Sequence, residues 1–175
     1  MALSLYDTSV ATFLRTLTNL LGILDKAAAH AANKKFDSAN YLTMRLAPDM
    51  LPFTKQIQIS SDHAKRAASR LAGIEAPVFE DNEKTLDELK ARTKKTIDFL
   101  KTITAAQVDG NENKPVTVPA GGGKRVWPSG KDYLFVNAMP NFYFHVTVAY
   151  AILRHAGVDI GKADFIGAQP AVTPN

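Results

Sequence analysis

Four histidines, His30, His63, His145 and His155, carry most of the chemistry this sequence offers, because the chain contains no cysteine. That absence removes disulfides, thiolate metal ligands and cysteine nucleophiles together. A neutral imidazole can ligate a metal or move a proton near neutral pH. A zinc-type signature asks for a pair such as HxxxH, whose i,i+4 spacing aims two rings from one helix face at one ion, and no such pair occurs. His30 and His155 fall near the C-terminal ends of helical patterns, where the helix dipole favours an imidazolium, so both read as capping or surface residues. His63 stands beside Asp62 with Lys65 and Arg66 close by, which reads as an exposed position. His145 differs, because Phe142, Phe144, Val146 and Val148 surround it. A buried imidazole needs partners for its nitrogens, and Asn141, one turn earlier on the same face, can supply a donor or an acceptor. Two roles stay open for His145: a satisfied core histidine, or a ligand or proton-transfer group.

Other sites of chemistry fall away. Gly121-Gly122-Gly123-Lys124-Arg125 fails the P-loop pattern, since Arg125 stands where Ser or Thr is required, and it reads as a hairpin turn. No GxSxG elbow anchors a serine hydrolase. Asp81, Glu83, Asp87 and Glu88 gather at a helix start, where the dipole explains them. Basic residues alternate with acidic ones, and a single Trp builds no stacking ladder, so nucleic acid is not an expected partner.

The elements that must position these residues are helical. At 175 residues, with 46% hydrophobic and 22% charged residues and a net charge of +4, the chain has the balance of one globular domain. Val10, Phe13, Leu14, Leu17, Leu20, Leu21 and Leu24 keep helical spacing, with Ser4 and Asp7 as a capping box that starts the first helix near Leu5. It fades at His30 to Asn33, and a short helical stretch follows over Ser38 to Leu46. Asp49 is the expected N-cap of a second helix from Met50, carried by Phe53, Ile57, Ala64, Ala67, Ala68 and Leu71 and stopped by Gly73. Thr85-x-x-Glu88 opens a third, with Leu86, Leu89, Ile97, Leu100 and Ile103 as its core stripe. Val116-Thr117-Val118 and Arg125-Val126-Trp127 predict a small β-hairpin or ordered loop. Phe142 to His155 is the fourth helix, with Pro140 at its start and Gly157 at its end. Residues Tyr133 to Leu153 carry no Asp, Glu, Lys or Arg, but Asn137, Pro140, Asn141 and His145 argue against a membrane span, so this helix is expected to be the most buried of the bundle. The N-terminus lacks a basic n-region, so no secretory signal is expected and the reading is cytoplasmic. One domain over 1–168 and a flexible tail over 169–175 complete the expectation.

The run Met139-Pro140-Asn141-Phe142-Tyr143-Phe144-His145, with Tyr150 to His155 and Gly157, resembles an uncharacterised bacterial family allied to the DinB/YfiT-like four-helix bundles, a metalloenzyme superfamily. Leu5-Tyr6-Asp7, Arg45 to Met50, Leu71-Ala72-Gly73, Gly161-Lys162 and Phe165-Ile166-Gly167 share the resemblance. It implies an all-α, DinB/YfiT-like four-helix bundle and, by analogy, a homodimer. In that superfamily three histidines from helices two and four hold a divalent metal such as zinc, nickel or iron. The resemblance puts His145 on one of these positions and Asn141 on another. Arg45 or Asp49 falls nearest the helix-two position, with His63 too far along. One metal ligand of three is then kept, and Asn is a poor replacement for an imidazole. The resemblance therefore implies a small-molecule-binding or structural module with a degenerate metal site, its pocket near Asn141, Tyr143, His145, Tyr150, Arg45 and Asp49. The alternative is a divalent-metal-dependent hydrolase or thiol transferase using His145 with Asn141 and Asp49.

Overall fold

The first periodic segment is one continuous rod in the computed structural model of the protein, which describes residues 3–171. A π-helical turn, Asp7–Ala11, runs into α1, Thr12–Lys34, whose Phe13, Leu17, Leu20 and Leu24 are fully buried. Lys35 ends it in the left-handed region at φ 58°. Only a 3₁₀ turn, Ser38–Tyr41, follows, shorter than the helical stretch the sequence suggests. The second helix, α2, Phe53–Ala72, starts later than Met50 and is capped by Pro52, not Asp49. Proline pushes the residue before it out of the α region, so the helix cannot run through Leu51. Gly73, at φ 69°, closes α2 with its N–H on Arg70 O, in the conformation a Cβ disfavours.

The third helix, α3, Leu86–Leu100, keeps the expected capping box: Glu88 N–H donates to Thr85 Oγ1 at 3.1 Å, and Thr85 N–H to Glu88 Oε2 at 2.9 Å. A short α4, Ala105–Val108, leads to β1, Val116–Ala120, and β2, Gly123–Trp127, an antiparallel hairpin pairing Val116 with Trp127. Gly121 and Gly122 turn it at positive φ. A turn of helix, α5, Gly130–Asp132, and a π-helical stretch, Tyr133–Ala138, then precede α6, Met139–His155. The fourth helical rod thus begins well before Phe142. Pro140 has no N–H for the preceding turn, and the altered register stands directly ahead of it.

The architecture is all-α with one small hairpin, as expected, with two further features that the sequence reading did not include. Beyond the last rod the chain forms one more short helix. Lys162–Ile166 forms α7 against α1, where Asn19 Nδ2 donates to Phe165 O at 3.1 Å and Lys26 pairs with Asp164 at 2.7 Å. Of the 169–175 tail, residues 169–171 carry no regular structure and 172–175 lie outside the described residues. The most buried helix is α2, not α6. Lack of charge is not burial: Phe144 on α6 is 54% exposed, whereas α2 is packed against both α3 and α6 and buries Gln56, Gln58, Ser60, Ser61 and Lys65.

Gly130 sits where β2 meets the last rod, and a Cβ there would stand 2.6 Å from Asn111 O. Backbone cannot give way as a flexible side chain can. Gly130→Ala is expected to destabilise by about 1–3 kcal/mol in urea unfolding. Gly22→Ala, with open space around its Cβ, should gain stability from helix propensity. Equal effects at both positions would contradict the packing seen at Gly130.

Candidate functional site

The helices α2 and α6 run antiparallel and bring two polar lines together. Tyr133, Asn137, Asn141 and His145 recur every fourth residue along the last rod, and Gln56, His63, Arg66 and Arg70 recur every three to seven along α2. At one end Arg70 Nη1 donates to Tyr133 Oη at 2.9 Å. At the other, His145 Nδ1 lies 2.7 Å from Gln56 Oε1. Gln56 donates its own Nε2 to Leu51 O at 2.9 Å, so its oxygen faces the ring. The oxygen can only accept, which places the His145 proton on Nδ1 and leaves a lone pair on Nε2.

Between these ends the His63 ring stacks on His145, with centroids 5.8 Å apart and planes at 16°. Two stacked imidazolium rings would repel. Burial first, then His145, Arg66 and Arg70, push His63 down to about 4, against an opposing pull from Asp62. Burial also holds His145 below the ordinary histidine range. Both shifts disfavour the imidazolium and favour neutral rings.

His63 opens onto a cavity of about 590 Å³. Its floor is the seam itself, with Ile59, Arg66 and Arg70 from α2 and Asn137 and Asn141 from the last rod. The hairpin forms the other wall, with Val118 and Pro119 from β1 and Arg125 and Trp127 from β2. Asn141 Nδ2 donates to Asn137 O at 2.7 Å, so its amide is oriented by its own helix. The buried Trp127 Nε1–H has no partner among the described residues.

Asp62, on the cavity wall, anchors a charged cluster behind it. Its carboxylate meets Lys65 at 2.9 Å, Arg66 at 2.7 Å and Arg92 of α3 at 2.9 Å. Arg92 also pairs with Asp81 at 3.0 Å and Glu83 at 2.8 Å on the α2–α3 connector. Lys65 Nζ stands 4.1 Å over the Phe79 ring of the same connector. Two of the acids that the sequence assigns to a helix start, Asp81 and Glu83, thus brace the connector against α2 and α3.

Of the residues expected to form a pocket, Asn141 and His145 come together, joined by His63. Asn141 is not the partner of His145; Gln56 is. Tyr143 faces another groove, with Arg15 and Phe165, and Tyr150 packs edge-on to Phe165 at 5.8 Å. Arg45 and Asp49 are exposed on the loop before α2, outside the cavity lining, with Arg45 Nη1 bonded to Met50 O. His63 corrects the sequence reading: it is neither exposed nor too far along α2, because helix entry at Phe53 and antiparallel pairing bring it opposite His145. Sequence reasoning missed Gln56, Arg66, Arg70, Arg125 and Trp127. The spacing of Gln56, His63 and Arg70 at seven-residue steps was the available signal for one face. His30 is no simple cap either, since its Nδ1 lies 2.7 Å from Tyr41 Oη.

Two imidazoles therefore stand where the resemblance implies three. The third donor would be the Asn141 carboxamide, and no group of three or more His, Asp or Glu suited to a metal ion occurs among the described residues. This donor set does not fit the superfamily's divalent metal. No helix is long and apolar enough to cross a membrane among the described residues.

Residues 5–166 match the profile of a family described as a domain of unknown function, DUF1993. Among solved structures, the chain is similar to a DinB family member protein from Shewanella denitrificans. The identity is 39% and the TM-score 0.89, over 97% of this chain and 96% of that one. No curated protein matches the chain.

Proposed function

This chain belongs to the DUF1993 family, with a DinB-like fold, and from that premise we propose that it binds a small organic molecule in the cavity between α2, the last helical rod and the hairpin. The observation that carries this reading is the His63 ring, stacked on His145, lining a cavity of about 590 Å³, within the range of small-molecule sites. A buried pair serving stability alone has no use for a cavity beside it. The superfamily's metal position persists in this reading only as a degenerate site of His63, His145 and Asn141. One domain over 1–168 carries the function. We place the protein in the cytoplasm as a homodimer. Exposed Phe135, Val136 and Phe144 supply apolar surface for a second copy, and a chain without cysteine needs no oxidising compartment.

Ligand-observed NMR with a mixed library of neutral, cationic and anionic fragments tests the reading, together with metal analysis of protein purified without an affinity tag. Fragments should bind the wild type and weaken by about tenfold or more in Asn141→Leu, with metal well below one equivalent. A library without a single binder would sink the proposal. So would near-stoichiometric zinc, nickel or iron that disappears in His145→Ala, which would establish the metal-dependent hydrolase or transferase instead.

A further inference from the structure

We propose that this cavity selects an organic anion, a carboxylate or phosphate monoester carried on a small apolar body; the inference rests on the ligand-binding reading above and specifies its chemistry. Three guanidinium groups, Arg66, Arg70 and Arg125, line the cavity against one carboxylate, Asp62. That carboxylate is already committed to Lys65, Arg66 and Arg92, so it does not neutralise the other two arginines. Arg70 is held by the Tyr133 hydroxyl, which orients the guanidinium and leaves its charge uncancelled. Arg125 makes no ion pair among the described residues, although it lies on β2 facing the same space.

The remaining polar lining, His63, Asn137 and Asn141, adds no opposing charge. His63 is neutral, so it neither repels a cation nor attracts an anion. Trp127 lines the cavity with its ring, while its Nε1–H is buried away from the open space and takes no part in the charge preference. Planar guanidinium forks match carboxylate and phosphate oxygens in a bidentate manner that a lysine would not. Ile59, Val118 and Pro119 offer an apolar surface alongside, suited to a hydrocarbon or aromatic body. A cation would meet a net positive wall, and a neutral ligand would leave the arginine charges unanswered.

The test uses matched probes on the intact chain: 3-phenylpropionate, its neutral amide and the corresponding amine, with phenyl phosphate as the phosphate arm. Titrations are followed by isothermal calorimetry and by the His63 ring signals. At least one anion should bind about tenfold or more tighter than the amide, and the amine should not bind. Arg125→Gln, on the exposed hairpin, should weaken the anion by about tenfold while leaving the amide within about twofold, and Arg70→Gln should do the same. The relative strength of the carboxylate and phosphate arms identifies the headgroup. Amide binding equal to that of both anions, no anion binding at all, or anion affinity unchanged in Arg125→Gln would overturn the proposal. If neutral fragments from the broader library still bind at Asn141, the ligand site survives and only its charge selectivity is lost. If nothing binds in either experiment, the site itself is refuted.

Discussion

Asp62→Asn is expected to destabilise the protein by about 3 kcal/mol at pH 7, whereas Lys65→Met, which removes the other half of the same ion pair, should cost less than about 1 kcal/mol. The asymmetry follows from what each change leaves behind. Lys65 has only 2% of its side chain exposed, and its ion pair among the described residues is with Asp62. Taking away the carboxylate leaves a buried ammonium facing a neutral amide and the Phe79 ring. Burial already pulls the Lys65 ammonium below the ordinary lysine range, with Asp62 pulling the other way. In the Lys65→Met variant, Asp62 keeps Arg66 and Arg92, and a thioether fills the space of the methylene stem. Urea unfolding of both variants and of the double variant gives the coupling directly. The Asp62→Asn deficit should also shrink as pH rises toward 10, because the stranded lysine then loses its proton more readily in the folded state than in the unfolded one. Equal losses for the two single variants, or a deficit indifferent to alkaline pH, would show that the cost does not come from stranding the Lys65 ammonium.

The same residue shows where sequence reasoning reached and where it stopped. Helix stripes, the Thr85 capping box and the glycine turn of the hairpin are local, set by neighbours within four residues, and they were legible one element at a time. The candidate site is not local. His63 looked exposed because Asp62, Lys65 and Arg66 flank it in sequence, yet on a helix those residues point to different sides. Two of them are buried or half-buried against α3 and the 74–85 connector. Likewise the uncharged stretch Tyr133 to Leu153 promised the deepest helix, while the structure gives that position to α2, whose buried Gln56 meets His145, whose Gln58 donates to Glu83 and whose Lys65 stands over Phe79. Polar residues become core residues when another helix satisfies them, and that partner is invisible until the antiparallel pairing of α2 and α6 is known. The resemblance identified the fold correctly, but its metal pattern directed attention to Arg45 and Asp49 and away from the arginines that line the cavity.

Acid should expose the cost of the histidine pair. Lowering the pH from 7.5 to 4 is expected to remove about 3 kcal/mol through His63 alone, a melting-temperature loss of about 6–12 °C beyond that of a His63→Gln variant. The sign follows from the direction of the shift. The folded protein holds His63 at about 4, below the ordinary histidine value of 6.5, so on acidification the unfolded chain takes up the proton first. The contribution to stability is complete above pH 6.5 and disappears as pH falls through the folded value. His145, also held down by burial, acts in the same direction, and so do Glu88, Asp109 and Asp164 at lower pH. The comparison with His63→Gln isolates the one ring, because the carboxylates titrate alike in both proteins. The groups facing that ring decide how a ligand alters the result: Arg66, Arg70 and His145 disfavour the imidazolium and Asp62 favours it. An anion seated on the arginines would cancel part of the unfavourable field and raise His63 toward its ordinary range. Saturating phenyl phosphate, which keeps a negative charge at pH 4, should therefore reduce the acid loss of the wild type relative to that of the variant. Identical acid losses in wild type and His63→Gln would mean that the stacked pair is not held neutral by the fold.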